Sequence, residues 1–131
     1  MIPGVENLSK AHTRFHKTGV SAMQKHISHQ TLTLYLSGDL DMSNAEELRN
    51  LIDRDIDRKR IRHVILDLSA VSFIDSSALG VILGRYKKLL ALDGKIQIAN
   101  APSHIYRILS VSGLPRIIEF ISDGSDGKEI S

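Results

Sequence analysis

No cysteine occurs among the 131 residues, which excludes disulfides, zinc-thiolate sites, iron–sulfur clusters and cysteine nucleophiles. Tryptophan is also absent and aromatics make up only 5%, so the core has to be built from aliphatic side chains. The longest charge-free run near the middle, Ser76 to Gly84, falls far short of the ~20 apolar residues that cross a bilayer. The N-terminus shows no apolar signal-peptide core, and a cytoplasmic location without membrane association is the expectation. Only 3 prolines are present, and the apolar (42%) and charged (24%) shares match ordinary globular chains, so disorder and fibrous repeats are not indicated. The length suits one domain with a modest core.

The excess of positive charge is local. Residues 1–30 hold Lys10, Arg14, Lys17 and Lys25 against the single acid Glu6, leaving 13 of the 17 bases and 14 of the 15 acids in the remainder. A near-neutral body with a basic arm does not fit a dedicated nucleic-acid binder, whose charge concentrates on a folded face. Residues 1–19 lack periodicity and contain Pro3, Gly4 and Gly19, and are expected to form a loosely ordered arm. A folded unit over 20–121 follows, and the Ser/Gly/Asp-rich residues 122–131 read as a frayed tail.

Within the folded unit a weak strand signal spans Val20 to Ile27. Leu32, Leu34 and Leu36 then alternate with Thr31, Thr33 and Tyr35 up to a stop at Ser37-Gly38. Ser43 with Glu46 three positions on is a capping-box pattern, and Ala45, Leu48, Ile52 and Ile56 continue at helical spacing to the cationic end Arg58-Lys59-Arg60. The run Val64 to Leu68 predicts a central strand covered on both faces. A second helix is expected over Ser77 to Leu92, with Leu79, Ile82, Leu83, Tyr86, Leu89 and Leu90 as its apolar stripe and Asp93-Gly94 as its stop. Lys95 to Ala99 reads as a strand. Pro102 opens a third helix with Ile105, Ile108 and Leu109 inward, Gly113 ends it, and Arg116 to Phe120 closes as a strand. The order β-β-α-β-α-β-α-β implies an α/β fold with a mostly parallel sheet of four to five strands and helices packed mainly on one face.

Chemistry is concentrated in Phe73-Ile74-Asp75-Ser76-Ser77-Ala78-Leu79-Gly80, where a strand hands over to a helix. The helix start leaves backbone N–H groups without partners, so Asp75, Ser76 or Ser77 can serve simply as a cap. An exposed hydroxyl beside a carboxylate at such a place also suits a phosphoacceptor. Six histidines are present, but His12, His16, His26 and His29 lie in or near the arm without metal-ligand spacing, and no metal site is expected. A hydrolase built from Ser76, His63 and Asp75 lacks the nucleophile-elbow glycines and has a short chain for that fold.

Five strings carry a resemblance: Ser37-Gly38-Asp39-Leu40-Asp41, Ile61-Arg62-His63-Val64-Ile65-Leu66, Phe73-Ile74-Asp75-Ser76-Ser77, Leu79-Gly80-Val81-Ile82-Leu83-Gly84-Arg85-Tyr86-Lys87 and Ser112-Gly113-Leu114. Over roughly Leu32 to Phe120 the chain resembles the STAS domains of anti-sigma factor antagonists, most closely the sporulation type. The resemblance implies a non-enzymatic regulator without a cofactor. In such a regulator the unphosphorylated form binds an anti-sigma factor that is also a serine kinase, and so frees the sigma factor. It further implies phosphorylation at Ser76 that abolishes binding, a serine phosphatase that reverses it, and a partner surface at Asp41, Asp75, Ser77, Leu79, Gly80, Arg107 and Ile108. The alternative within the family is a scaffold STAS protein of a stress-signalling assembly. Ala78 stands where the family usually has glycine, which is favourable if the backbone there is helical and strained if φ is positive. Gly84, inside an otherwise good helix, suggests close approach of another backbone or of a partner.

Overall fold

The computed structural model describes residues 22–122. Strand β1 (Ala22–Ser28) turns through His29 and Gln30 and pairs antiparallel with β2 (Thr31–Leu40). Three crossovers follow: helix α1 (Met42–Arg58) leads to β3 (His63–Ile74), α2 (Ser76–Ala91) to β4 (Lys95–Ala99), and α3 (Ser103–Val111) through a 3₁₀ turn at Leu114–Arg116 to β5 (Glu119–Ile121). The spatial order is β1-β2-β3-β4-β5, with β2 to β5 parallel. Right-handed crossovers that always advance in the same direction place all three helices on one face. The alternation along β2 therefore resolves cleanly: Leu32, Leu34 and Leu36 are buried under the helices beside Val64, Leu66, Leu68, Ile96 and Ile98.

The opposite face carries no helix among the described residues, so β3 is not covered on both sides as the run Val64 to Leu68 suggests. Ile65 is only half-buried, and Asp67 holds its buried place by accepting from Asn100 Nδ2 (2.8 Å) and Ser69 Oγ (2.7 Å). An apolar run cannot distinguish a two-sided strand from a one-sided strand whose second face is stitched by hydrogen bonds.

Three other expectations are corrected. β2 does not stop at Ser37-Gly38; it continues to Leu40 because the long β3 keeps pairing with it, and the ladder slips twice around Gly38, whose φ of 80° a side chain would resist. Leu90 leaves the apolar stripe of α2 and is 57% exposed, while Ala78, Val81, Ile82 and Leu89 are buried. The last strand is shorter than Arg116 to Phe120 because the 3₁₀ turn takes up Arg116. Gly113, at φ 86°, ends α3 in the left-handed conformation.

Two packed features hold the elements that bear the site. Lys25 on β1 reaches Asp55 on α1 at 2.9 Å, with the Asp55 side chain only 1% exposed. Between α1 and α2, Asp53 pairs with Arg85 at 3.0 Å, and Lys88 bridges to Asp57 at 3.2 Å. The short α3 is held through buried Ile105 and Leu109 and through Tyr106, which meets Phe120 edge-on at 5.2 Å.

Candidate functional site at two helix N-termini

Parallel strands deliver the starts of α1 and α2 to the same end of the sheet. Leu40 and Ile74 are ladder partners, so the residues that follow them, Asp41 and Asp75, begin the two helices side by side. The Asp75 N–H donates to the Leu40 carbonyl at 3.1 Å, tying the two turns together.

Each aspartate is a helix cap. Asp41 Oδ1 accepts from the Ser43 N–H (3.0 Å) and the Ser43 hydroxyl (2.7 Å), while the Asp41 N–H donates to Asn44 Oδ1 at 3.0 Å. The capping box is thus Asp41 with Asn44, not Ser43 with Glu46; Glu46 instead pairs with Arg49. Asn44 is buried and also donates to the Asp39 carbonyl at 2.8 Å. Asp75 Oδ1 accepts from the N–H groups of Ser77 (2.8 Å) and Ala78 (3.2 Å), so of the three candidate caps it is Asp75 that acts. Ala78 is helical and fully buried, which removes the question of strain at that position.

Ser76 is the first residue of α2 and is exposed; Ser77 is half-buried. Beside them an open groove of about 350 Å³ runs between α1 and α2, lined by Met42, Ala45, Arg49, Ser77, Gly80 and Arg85, among others. Met42, 74% exposed, is an apolar side chain at the groove's rim that sequence reasoning missed, as it missed Arg49 and Arg85. Their only signal was position, one residue after a cap and on the facing sides of two helices. A Cβ on Gly84 would meet nothing within 4 Å, so no neighbouring backbone explains that glycine.

The remaining predicted site residues are more scattered. Gly80 is exposed in the groove, whereas Leu79 packs partly against the core. Arg107 is exposed on α3 and Ile108 packs against the core; neither lines the groove. From α3 it is His104 that turns toward this end, approaching the Ser72 carbonyl at 3.1 Å. His63 begins β3 and Ser76 follows its far end, so Ser76, His63 and Asp75 form no triad.

Such an arrangement presents an exposed hydroxyl on the helix start that Asp75 caps, next to the start that Asp41 caps, with a groove alongside. A family profile described as the STAS domain matches residues 22–126. The chain belongs to the STAS-domain family. An anti-sigma F factor antagonist of Paenibacillus polymyxa is 38% identical over 87 residues, 66% of this chain and 74% of the relative. Among solved structures, the anti-sigma factor antagonist SpoIIAA in its unphosphorylated form matches this STAS domain with a TM-score of 0.71 and 27% identity, covering 78% of this chain and 90% of that one. The Bacillus cell fate determinant SpoIIAA in the phosphorylated form matches with a TM-score of 0.65 and 27% identity, covering 78% of this chain and 93% of that one.

Proposed function

We propose that this STAS domain is an anti-sigma factor antagonist switched by phosphorylation of Ser76. Unphosphorylated, it binds an anti-sigma factor with serine kinase activity and releases the sigma factor; phosphorylated, it no longer binds, and a serine phosphatase resets it. The observation that carries this reading is the exposed Ser76 hydroxyl at the first position of α2, beside a cap that leaves the hydroxyl itself accessible. Ser77 is the poorer acceptor, being half-buried. Relatives named as anti-sigma factor antagonists, one of them solved in both unphosphorylated and phosphorylated forms, support the same reading.

The partner surface in this proposal centres on Asp41 and Asp75 at the two helix starts and on Ser77 and Gly80 along the groove, with Leu79 supporting it from within; Arg107 and Ile108 belong to its outer margin. A phosphoryl group adds about −1.5 to −2 charges where Asp75 already sits, so switching needs no change of fold. The direct test is intact mass and phosphopeptide mapping after incubation with ATP and the cognate anti-sigma kinase. One added phosphate on Ser76, absent in Ser76→Ala, is expected; a phosphate on Ser77, or none, would overturn the assignment.

A further inference from the structure

Parallel strands that gather helix starts at one end of the sheet gather helix exits at the other. There a cavity of about 430 Å³ is lined by His29, Gln30, Thr31, Arg62, His63 and Lys95 and by the turn Asp93-Gly94. Its walls carry no apolar residue, so an apolar ligand has nothing to pack against. Asp93 is the one acid among them, and Arg60, whose carbonyl accepts from Gln30 Nε2 at 3.3 Å, adds a further exposed cation at the border. Cations near helix ends ordinarily serve free carbonyls. Here those carbonyls have other donors: Asp55 accepts from the N–H groups of Lys59 (2.9 Å) and Ile61 (3.3 Å), and Leu89 from those of Leu92 (2.9 Å) and Gly94 (2.7 Å). Arg62 Nη1 serves the carbonyls of Ile61 (2.8 Å) and Ile56 (3.4 Å), which fixes the guanidinium and leaves its Nε and Nη2 without a partner among the described residues. Lys95 stands on a strand, exposed, and no hydrogen bond or ion pair among the described residues engages its ammonium.

The backbone holds these two cations together. The Lys95 N–H donates to the Arg62 carbonyl at 2.8 Å, and Gly94 permits that approach, since a Cβ there would collide with the same carbonyl. Register places Thr31, His63 and Lys95 in one row across β2, β3 and β4. The His63 ring is fixed between Gln97 Oε1 (2.5 Å) and the Thr31 hydroxyl (3.4 Å), and Glu119 is taken by Gln97 Nε2 at 2.6 Å. We propose that this cavity binds a small multivalent anion, of the phosphate or polycarboxylate class, between Lys95 and the open edge of the Arg62 guanidinium. Such a group offers two oxygens to the planar edge and a third to the ammonium, and charge-assisted bonds of this kind are the strong ones. A nucleic-acid strand would need aromatic side chains for its bases to stack on, and the cavity supplies no Phe, Tyr or Trp. The site lies the length of β3 away from Ser76, so it neither requires nor blocks phosphorylation and stands apart from the switching reading.

The test titrates the full chain with inorganic phosphate and, separately, with citrate, each against sodium chloride at matched ionic strength, and follows the amide resonances. Saturable shifts at Arg62, His63, Gly94 and Lys95, with a Kd of about 1 mM or below, are expected for at least one of the two anions, and which of them saturates assigns phosphate or carboxylate. Lys95→Gln removes an exposed side chain without a partner, so its melting temperature should be unchanged while the anion binds about tenfold more weakly. Arg62→Lys, which keeps the charge and loses the planar edge, should weaken binding by a similar factor. Lys87→Gln, an exposed cation elsewhere on α2, should change nothing. Shifts that match those with chloride, or a Lys95→Gln variant that binds as well as the unaltered chain, or an equal loss in Lys87→Gln, would overturn the proposal.

Discussion

Asp75 donates its backbone N–H to the Leu40 carbonyl at 3.1 Å, and through that bond the first turn of α2 is held against the turn that starts α1. The Asp75 side chain meanwhile satisfies two N–H groups of its own helix. Replacing it with alanine removes the cap and should cost ~1 kcal/mol, read as a lower urea midpoint. Asp75→Asn keeps an equally good cap and should retain nearly all of the stability. Equal loss in both variants would show that the charge, not the cap, is what matters.

Glycines on and beside α2 should behave oppositely. Gly80 and Gly84 are helical with open space where a Cβ would go, so alanine at either position is expected to raise stability by up to ~1 kcal/mol. Gly94 is different, since a Cβ there would run into the Arg62 backbone carbonyl. Gly94→Ala should cost about 1–3 kcal/mol as neighbouring backbone shifts. Gly80→Ala carries an added expectation: a more stable protein with weaker kinase binding, because the methyl group intrudes into the groove. Calorimetry beside a binding titration separates the two effects.

Charge at Ser76 should weaken the partner complex without disturbing the fold. A hundredfold loss of affinity corresponds to ~2.7 kcal/mol. One unfavourable pair of unit charges at ~5 Å and an effective dielectric constant of ~40 supplies roughly 1.7 kcal/mol, so two such pairs, or one with steric exclusion, suffice. Ser76→Asp is expected to bind the anti-sigma kinase less well, and Ser76→Ala to bind constitutively. Amide spectra of the phosphorylated protein should change only around Asp41 and Asp75. Shifts spread across the whole sheet would mean a conformational switch instead.

Lys25 and Asp55 form a pair whose acid is almost wholly buried. Lys25→Met leaves a carboxylate without its partner and should destabilise by about 3 kcal/mol. The double variant Lys25→Met/Asp55→Leu should recover most of that loss, because an apolar pair of similar size needs no compensating charge. A double-mutant cycle with no coupling would show that the pair is incidental.

Much of this molecule was legible in its residues. The β-β-α-β-α-β-α-β order, the helix face of β2 and the left-handed turn at Gly113 follow from period-2 and period-3.6 spacing and from a glycine's freedom, all of which act over neighbouring residues. The helix start at Asp75-Ser76-Ser77 is local in the same sense. What spacing could not decide were relations between distant residues. Asp41 takes Asn44 rather than leaving the cap to Ser43 because β3 prolongs β2 as far as Leu40 and delivers Asp41 to the helix start. Asp55 sits in the core because Lys25 on a strand 30 residues away reaches it. The groove beside Ser76 exists because α1 and α2 cross the same face of one parallel sheet. Local sequence determines which residues can make a strand, a helix or a cap; only the sheet register decides which caps become neighbours, since a ladder couples residues whose separation along the chain carries no periodic signal.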